Sequence, residues 1–144
     1  MLEPAPIILG MTGASGAEYG LRLLRCLLEA GRPVQLLLSK AAQIVIRMET
    51  PLRLPGRASD VQRVLTEHYG CTVGQLQGYG QEEWTAPPAS GSAHAQAMVV
   101  CPCTTGALAA IANGNSDNLL ERAADVTLKE GRKLILAVRE TPLS

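Results

Sequence analysis

The chain has 144 residues, enough for one compact domain that buries its core without disulfide staples. Its core must be aliphatic, because hydrophobic residues make up 47% of the chain while aromatics make up 3% and Phe is absent. Thirteen Lys and Arg balance thirteen Asp and Glu, and this neutrality argues against a general nucleic-acid binder. No apolar run approaches the ~18 residues of a membrane span, and the N-terminus lacks a basic stretch followed by a long apolar core. The four cysteines (Cys26, Cys71, Cys101, Cys103) form no Cys-x-x-Cys pair and read as thiols of a reducing cytoplasm.

Pro6-Ile-Ile-Leu-Gly10 is a short apolar run ending in glycine, the pattern of a buried strand. Residues Ser15 to Ala30 follow with apolar positions at helical spacing, and Gly31 suits a C-terminal cap. Val34 to Leu38 reads as a second buried strand, and Ala41 to Met48 as a short helix stopped before Pro51. Asp60 is placed to cap a helix running to Tyr69. Residues 70–92 are rich in Gly, Gln, Pro and Ser and carry Trp84, which predicts an exposed excursion with at most one short strand. Ala97 to Cys101 is the next buried strand, and Thr104 to Asn113 a helix of small residues. Ser116-Asp117-Asn118 caps a helix over Leu119 to Glu130, and Lys133 to Val138 is the final strand, also expected to be buried.

Alternating strands and helices predict an α/β, Rossmann-like, doubly wound parallel sheet with three layers, α/β/α, in a single domain over residues 1–144. Ligands of such sheets sit beyond the carboxyl ends of the strands. The chain stops soon after a strand that such a fold ordinarily covers with a helix, so the C-terminal part of the fold is expected to be missing.

The strand ends carry the candidate chemistry. The first runs into Gly10-Met-Thr-Gly-Ala-Ser-Gly16 before a helix, a geometry that lets a ligand phosphate approach backbone amides. Thr12 and Ser15 add hydroxyls. The spacing is neither the dinucleotide Gly-x-Gly-x-x-Gly nor a P-loop, and a tight turn with nothing bound has the same signature. The second strand ends in Ser39-Lys40 instead of the acid of an NAD site, which suits a phosphate or a plain solvated end. The third ends in Cys101-Pro-Cys-Thr-Thr105, with Thr104 and Thr105 at a helix start. The fourth ends in Arg139-Glu140, a phosphate-binding cation beside a proton carrier, or a surface pair. Arg122 and Lys129 lie seven apart and share a helix face. His68 and His94 are isolated, and no metal site is expected.

Gly10-Met-Thr-Gly-Ala-Ser-Gly16, Ser39-Lys40-Ala-Ala, Ala109-Ala-Ile-Ala-Asn-Gly-Asn-Ser-Asp-Asn118, Arg122-Ala-Ala-Asp-Val-Thr-Leu-Lys129 and Arg139-Glu-Thr-Pro-Leu-Ser144 together resemble the UbiX-type flavin prenyltransferases over nearly the whole chain. The resemblance implies a flavin-binding subunit of a homo-oligomer, a trimer-based dodecamer, with FMN near subunit interfaces. It implies transfer of a dimethylallyl group from dimethylallyl monophosphate to N5 and C6 of reduced FMN. The product would serve a UbiD-type decarboxylase in ubiquinone biosynthesis or aromatic-acid metabolism. It further implies cofactor contacts from Thr12, Gly13, Ala14, Ser15, Ser39, Thr104, Thr105 and Arg139. Phosphate contacts would come from Arg122, Lys129, Arg139 and Glu140. Ser15 would relay a proton at N5, Glu49 or released phosphate would act as base, Glu140 would give the leaving phosphate a proton, and Trp84 would offer an electron-rich wall to an allylic cation. Family chains continue past the position of Ser144 with a Tyr and an Arg that add phosphate contacts, and they often carry Ser within the stretch matching Cys103-Thr104-Thr105. Three other readings stay open. They are an FMN-dependent cysteine decarboxylase, whose Pro-x-Met-Asn type motif is absent here, a non-catalytic flavin-binding subunit, and an NADP-binding reductase, disfavoured by the glycine spacing.

Overall fold

The computed structural model describes residues 4–91 and 94–139. Five parallel strands form one sheet in the order β3-β2-β1-β4-β5, where β1 is Ile7–Met11, β2 Val34–Leu38, β3 Leu76–Tyr79, β4 Ala97–Cys103 and β5 Lys133–Val138. β1, β2 and β4, in the middle of the sheet, are short and mostly apolar, the form that strands covered on both faces require. The alternating side chains of β1 and β2 feed two cores. Leu9, Met11, Val34 and Leu36 pack under α1 (Ala17–Glu29), α2 (Lys40–Glu49) and α3 (Ala58–Tyr69). Ile8 and Leu37, with Met98 and Val100 of β4, pack under α4 (Thr105–Ala112), α5 (Leu119–Lys129) and the turn Pro87–Ala89.

The expected elements appear, β2 and β5 with the expected ends and the others with ends shifted by at most three residues. α3 starts earlier than predicted, with Arg57 at its N-cap and Asp60 inside the first turn, where its charge faces the positive end of the helix dipole. The excursion over residues 70–92 does contain a strand, β3, which extends the sheet beyond β2. β5 departs from the expectation of a buried strand. It is an edge strand, with Leu134 and Leu136 against the α5-side core but Ile135 47% exposed on the opposite face and Val138, at the strand end, 37% exposed. Sequence alone cannot separate the two cases, because Lys-Leu-Ile-Leu-Ala-Val is apolar on both faces.

The order of strands reverses between β1 and β4, whose carboxyl ends diverge into α1 and α4. A crevice therefore opens between them, where doubly wound sheets bind ligands. The start of α5 lies on the same edge of the sheet. Its first amides are already satisfied: Leu119 N–H donates to the Gln81 carbonyl at 2.8 Å, Leu120 N–H to Gln81 Oε1 at 3.2 Å and Glu121 N–H to Asn118 Oδ1 at 2.8 Å.

Candidate functional site

The turn after β1 is built to carry its residues without slack. Thr12 is 7% exposed, and its hydroxyl donates to the Pro102 carbonyl (2.9 Å) while accepting from the Thr104 N–H (2.9 Å). Thr12, expected among the cofactor contacts, ties the end of β1 to the end of β4 across the crevice through this hydroxyl. Thr12→Val keeps the shape and abandons both partners. We expect it to cost about 1–3 kcal/mol, read from the midpoint of urea unfolding. Ala14 is buried, and Gly13 packs directly on Ala41 of α2. Gly16, the N-cap of α1, has φ 104°, a left-handed conformation that glycine takes without a side-chain penalty.

That turn aims Ser15 and the first amides of α1 at Glu49, the last residue of α2. Ser15 Oγ donates to Glu49 Oε2 at 2.8 Å, and the N–H groups of Gly16 and Ala17 donate to Oε1 at 2.9 and 3.1 Å. These donors, Gly16 first, then Ala17 and Ser15, with the Arg139 guanidinium adding a smaller share, hold the Glu49 carboxyl below the usual carboxylate range. The amides expected to meet a ligand phosphate are therefore filled by the chain's own carboxylate.

Arg139 follows β5, where its N–H donates to the Cys103 carbonyl at 3.1 Å. Its guanidinium lies 5.3 Å from the centre of the Tyr19 ring and close enough to Gly16 that a β-carbon there would sit 3.2 Å from Nε. Ser15, Glu49 and Arg139, distant in sequence, thus form one cluster at the carboxyl edge of the sheet. A groove of about 1000 Å³ runs from Ser15, Gly16, Tyr19 and Glu49 toward Arg22 and Arg53.

Two further helix starts face this edge. Ser39 caps α2 by accepting from Ala42 N–H at 3.0 Å, and Thr104 caps α4 by accepting from Ala107 N–H at 3.0 Å, with Thr105 the first residue of α4. A cleft of about 800 Å³ lies beside Ser39 and Lys40, bounded by Tyr79 and Gln81.

Other expected site residues stand apart. Arg122 and Lys129 do share a face of α5, joined through Asp125, whose Oδ2 lies 3.9 Å from Arg122 Nη1 and 3.0 Å from Lys129 Nζ. Lys129, however, ends α5 two turns past Arg122, and the chain next enters the amino end of β5. It is therefore at the opposite edge of the sheet from Ser15, about 15 Å away along the helix direction. Trp84 is 47% exposed in the excursion after β3, and no contact among the described residues joins it to Ser15, Glu49 or Arg139. Glu140 lies outside the described residues. Asp125 and Tyr19 were not singled out from sequence. Asp125 was findable, since it stands three residues after Arg122 and four before Lys129, the spacing of helix-surface ion pairs. Tyr19 gave no signal. Among the described residues no three His, Cys, Asp or Glu side chains converge as a metal-holding group.

Comparison with known proteins identifies the family and the fold. The Flavoprotein family model matches residues 1–144. Flavin prenyltransferase UbiX of Pseudomonas aeruginosa is 55% identical over 144 residues, spanning 100% of this chain and 69% of that protein. A crystal structure of a UbiX protein in complex with FMN and dimethylallyl pyrophosphate superposes with a TM-score of 0.82 at 37% identity, covering 97% of this chain and 67% of that one. A dodecameric FMN-dependent UbiX-like decarboxylase from Escherichia coli gives a TM-score of 0.81 at 40% identity, covering 96% and 68%. The chain thus spans about two thirds of the length of these relatives. It belongs to the Flavoprotein family and, within it, to the UbiX-type flavin prenyltransferases.

Proposed function

We propose that this chain is a flavin prenyltransferase, one flavin-binding domain over residues 1–144 that joins the dimethylallyl group of dimethylallyl monophosphate to N5 and C6 of reduced FMN. The carrying observation is the Ser15–Glu49–Arg139 cluster at the sheet's switch point, in a chain 55% identical to a named flavin prenyltransferase. The edge fits FMN. The resemblance puts cofactor contacts at Ser39, Thr104 and Thr105, and the starts of α2 and α4 that carry them lie at this edge. Reduced FMN supplies the electron-rich positions that form the new bonds.

This chain's residues would do the rest. Arg139 places a cation at the edge for developing phosphate charge. Ser15 Oγ holds a ring proton within reach of Glu49 Oε2. Glu49, held as a carboxylate by its donors, is a weaker base than an ordinary glutamate, so released phosphate is the better acceptor for the C6 proton. Arg122 and Lys129 act on the leaving phosphate, and Lys129 does so for a neighbouring subunit, which accounts for its place at the edge opposite Ser15 and favours a site shared between subunits. Glu140 protonates the phosphate and Trp84 lines the allylic cation by the same reasoning.

In this reading the assembly is a dodecamer of trimers in the cytoplasm, and its product supplies a UbiD-type decarboxylase in ubiquinone biosynthesis. No helix among the described residues is long and apolar enough to cross a membrane. The test is an anaerobic incubation with FMN, a chemical reductant and dimethylallyl monophosphate, followed by mass spectrometry of the extracted flavin. The expected product is heavier by one five-carbon prenyl unit. Unmodified flavin that co-purifies with the protein would leave a binding subunit only.

A further inference from the structure

Tyr19 keeps an aromatic ring on the surface of a chain that has one Trp, three Tyr and no Phe. It stands in the first turn of α1 and is 61% exposed, so the core gains little from it. Its N–H donates to the Gly16 carbonyl at 3.0 Å, which fixes the ring beside that glycine. A β-carbon on Gly16 would lie 2.9 Å from Tyr19 Cδ2, 3.2 Å from Arg139 Nε and 3.4 Å from Arg139 Cγ. Ring and arginine stem therefore share the space that Gly16 leaves open, and the guanidinium carbon lies over the ring, 5.3 Å from its centre.

Arg139 is held there without an acid. Arg25, Arg63 and Arg122 each have a carboxylate within 4 Å, whereas among the described residues Arg139 forms no ion pair. The oxygens of Glu49, whose charge it feels, already accept from Ser15, Gly16 and Ala17. The difference matters for a cation that must take up an anion. A carboxylate partner engages the guanidinium N–H donors, and an incoming phosphate has to displace it. A ring face attracts the same cation and leaves the in-plane donors unspent. It also restrains a long side chain before the anion arrives, which lowers the entropy lost on binding.

We infer that Tyr19 is a positioning residue: its ring holds the Arg139 guanidinium at the carboxyl edge of the sheet with its donors available to an organic phosphate. The inference rests on the reading of Arg139 as a phosphate-binding cation. It assigns the work to the ring face, so the Tyr19 hydroxyl plays no part.

The experiment is a calorimetric titration of dimethylallyl monophosphate into the full chain loaded with oxidised FMN, where no turnover draws the ligand away. The variants are Tyr19→Phe, Tyr19→Trp, Tyr19→Leu, Arg139→Ala and the double variant Tyr19→Leu with Arg139→Ala. Tyr19→Phe and Tyr19→Trp should bind within about twofold of the parent, and Tyr19→Leu about two- to fivefold more weakly, the scale of an exposed cation–π contact. Arg139→Ala should weaken binding at least about tenfold, and adding Tyr19→Leu to it should change nothing further. Tyr19→Leu equal to the parent, or Tyr19→Phe as weak as Tyr19→Leu, overturns the inference. So does an equal loss from Tyr19→Leu with and without Arg139, which would make Tyr19 a separate contact. A changed assembly mass in Tyr19→Leu with unchanged affinity overturns it too, and makes the ring a contact between subunits. If Tyr19→Leu does not fold, weak binding by Tyr19→Phe or Tyr19→Trp decides against the ring. A parent that does not bind the monophosphate, or an Arg139→Ala variant that binds as the parent does, overturns the phosphate reading itself.

Discussion

Two inactive variants of this chain are expected to restore activity to each other when their subunits are mixed. Ser15→Ala removes the hydroxyl at the carboxyl edge, and Lys129→Ala removes a cation at the amino edge. One chain cannot bring these positions together, because α5 holds Lys129 at the far end of the sheet. If a site takes Ser15 from one subunit and Lys129 from its neighbour, random 1:1 mixing leaves about a quarter of the sites with both native residues. Each variant alone should lose on the order of a hundredfold in turnover, the scale seen when one stabiliser of developing charge is deleted. The mixture, after dissociation and reassembly, should recover about a quarter of the parent's prenylated flavin yield. Mixtures no better than their components would place both residues in one subunit's site or remove Lys129 from the chemistry. The Lys129–Asp125 ion pair does not confuse the reading, since an exposed pair of this kind contributes at most about 1 kcal/mol.

Gly20→Ala is expected to destabilise the fold severely for a change of one methyl group. Gly20 lies in α1 directly over the end of β4, and a β-carbon there would overlap the Cys101 carbonyl oxygen and stand 2.7 Å from Met11 Cε. Met11 can shift its tip, but the carbonyl belongs to the strand. The helix must move away, at about 3 kcal/mol for overpacking, offset by roughly 1 kcal/mol of better helix propensity. A net loss of about 2 kcal/mol should appear as a lower urea midpoint with an unchanged slope. Gly56→Ala, where a new β-carbon meets nothing within 4 Å, is the neutral control. The same displacement moves the start of α1, so Gly20→Ala should also loosen the amides that hold Glu49 and weaken flavin binding.

These two cases show what could be read from sequence and what could not. The layered sheet was legible because Ile7–Met11, Val34–Leu38 and Ala97–Cys103 are apolar runs bounded by turn residues and separated by helical patterns. Asn118 as the cap of α5 was legible because a short amide side chain before an apolar run has one obvious use. The meeting of Ser15 with Glu49 was not, because it depends on the turn after β1 meeting the end of α2, 34 residues further along the chain. Sequence suggested both residues through resemblance, with Glu49 or released phosphate as the base, and the geometry adds that the Glu49 carboxylate caps the start of α1 and accepts from the Ser15 hydroxyl. The tie made by Thr12 was hidden for the same reason: a hydroxyl beside a glycine turn gives no sign that the neighbouring strand will bond to it twice.

The internal filling of the α1 and α5 starts bears on selectivity among solutes. Glu49 stands where an inorganic anion would otherwise settle on α1, and Gln81 and Asn118 do the same on α5. Free phosphate and sulfate, abundant competitors for any unoccupied helix start, find these two positions closed. The rim therefore spends little of its positive potential on small inorganic guests at these two helix starts.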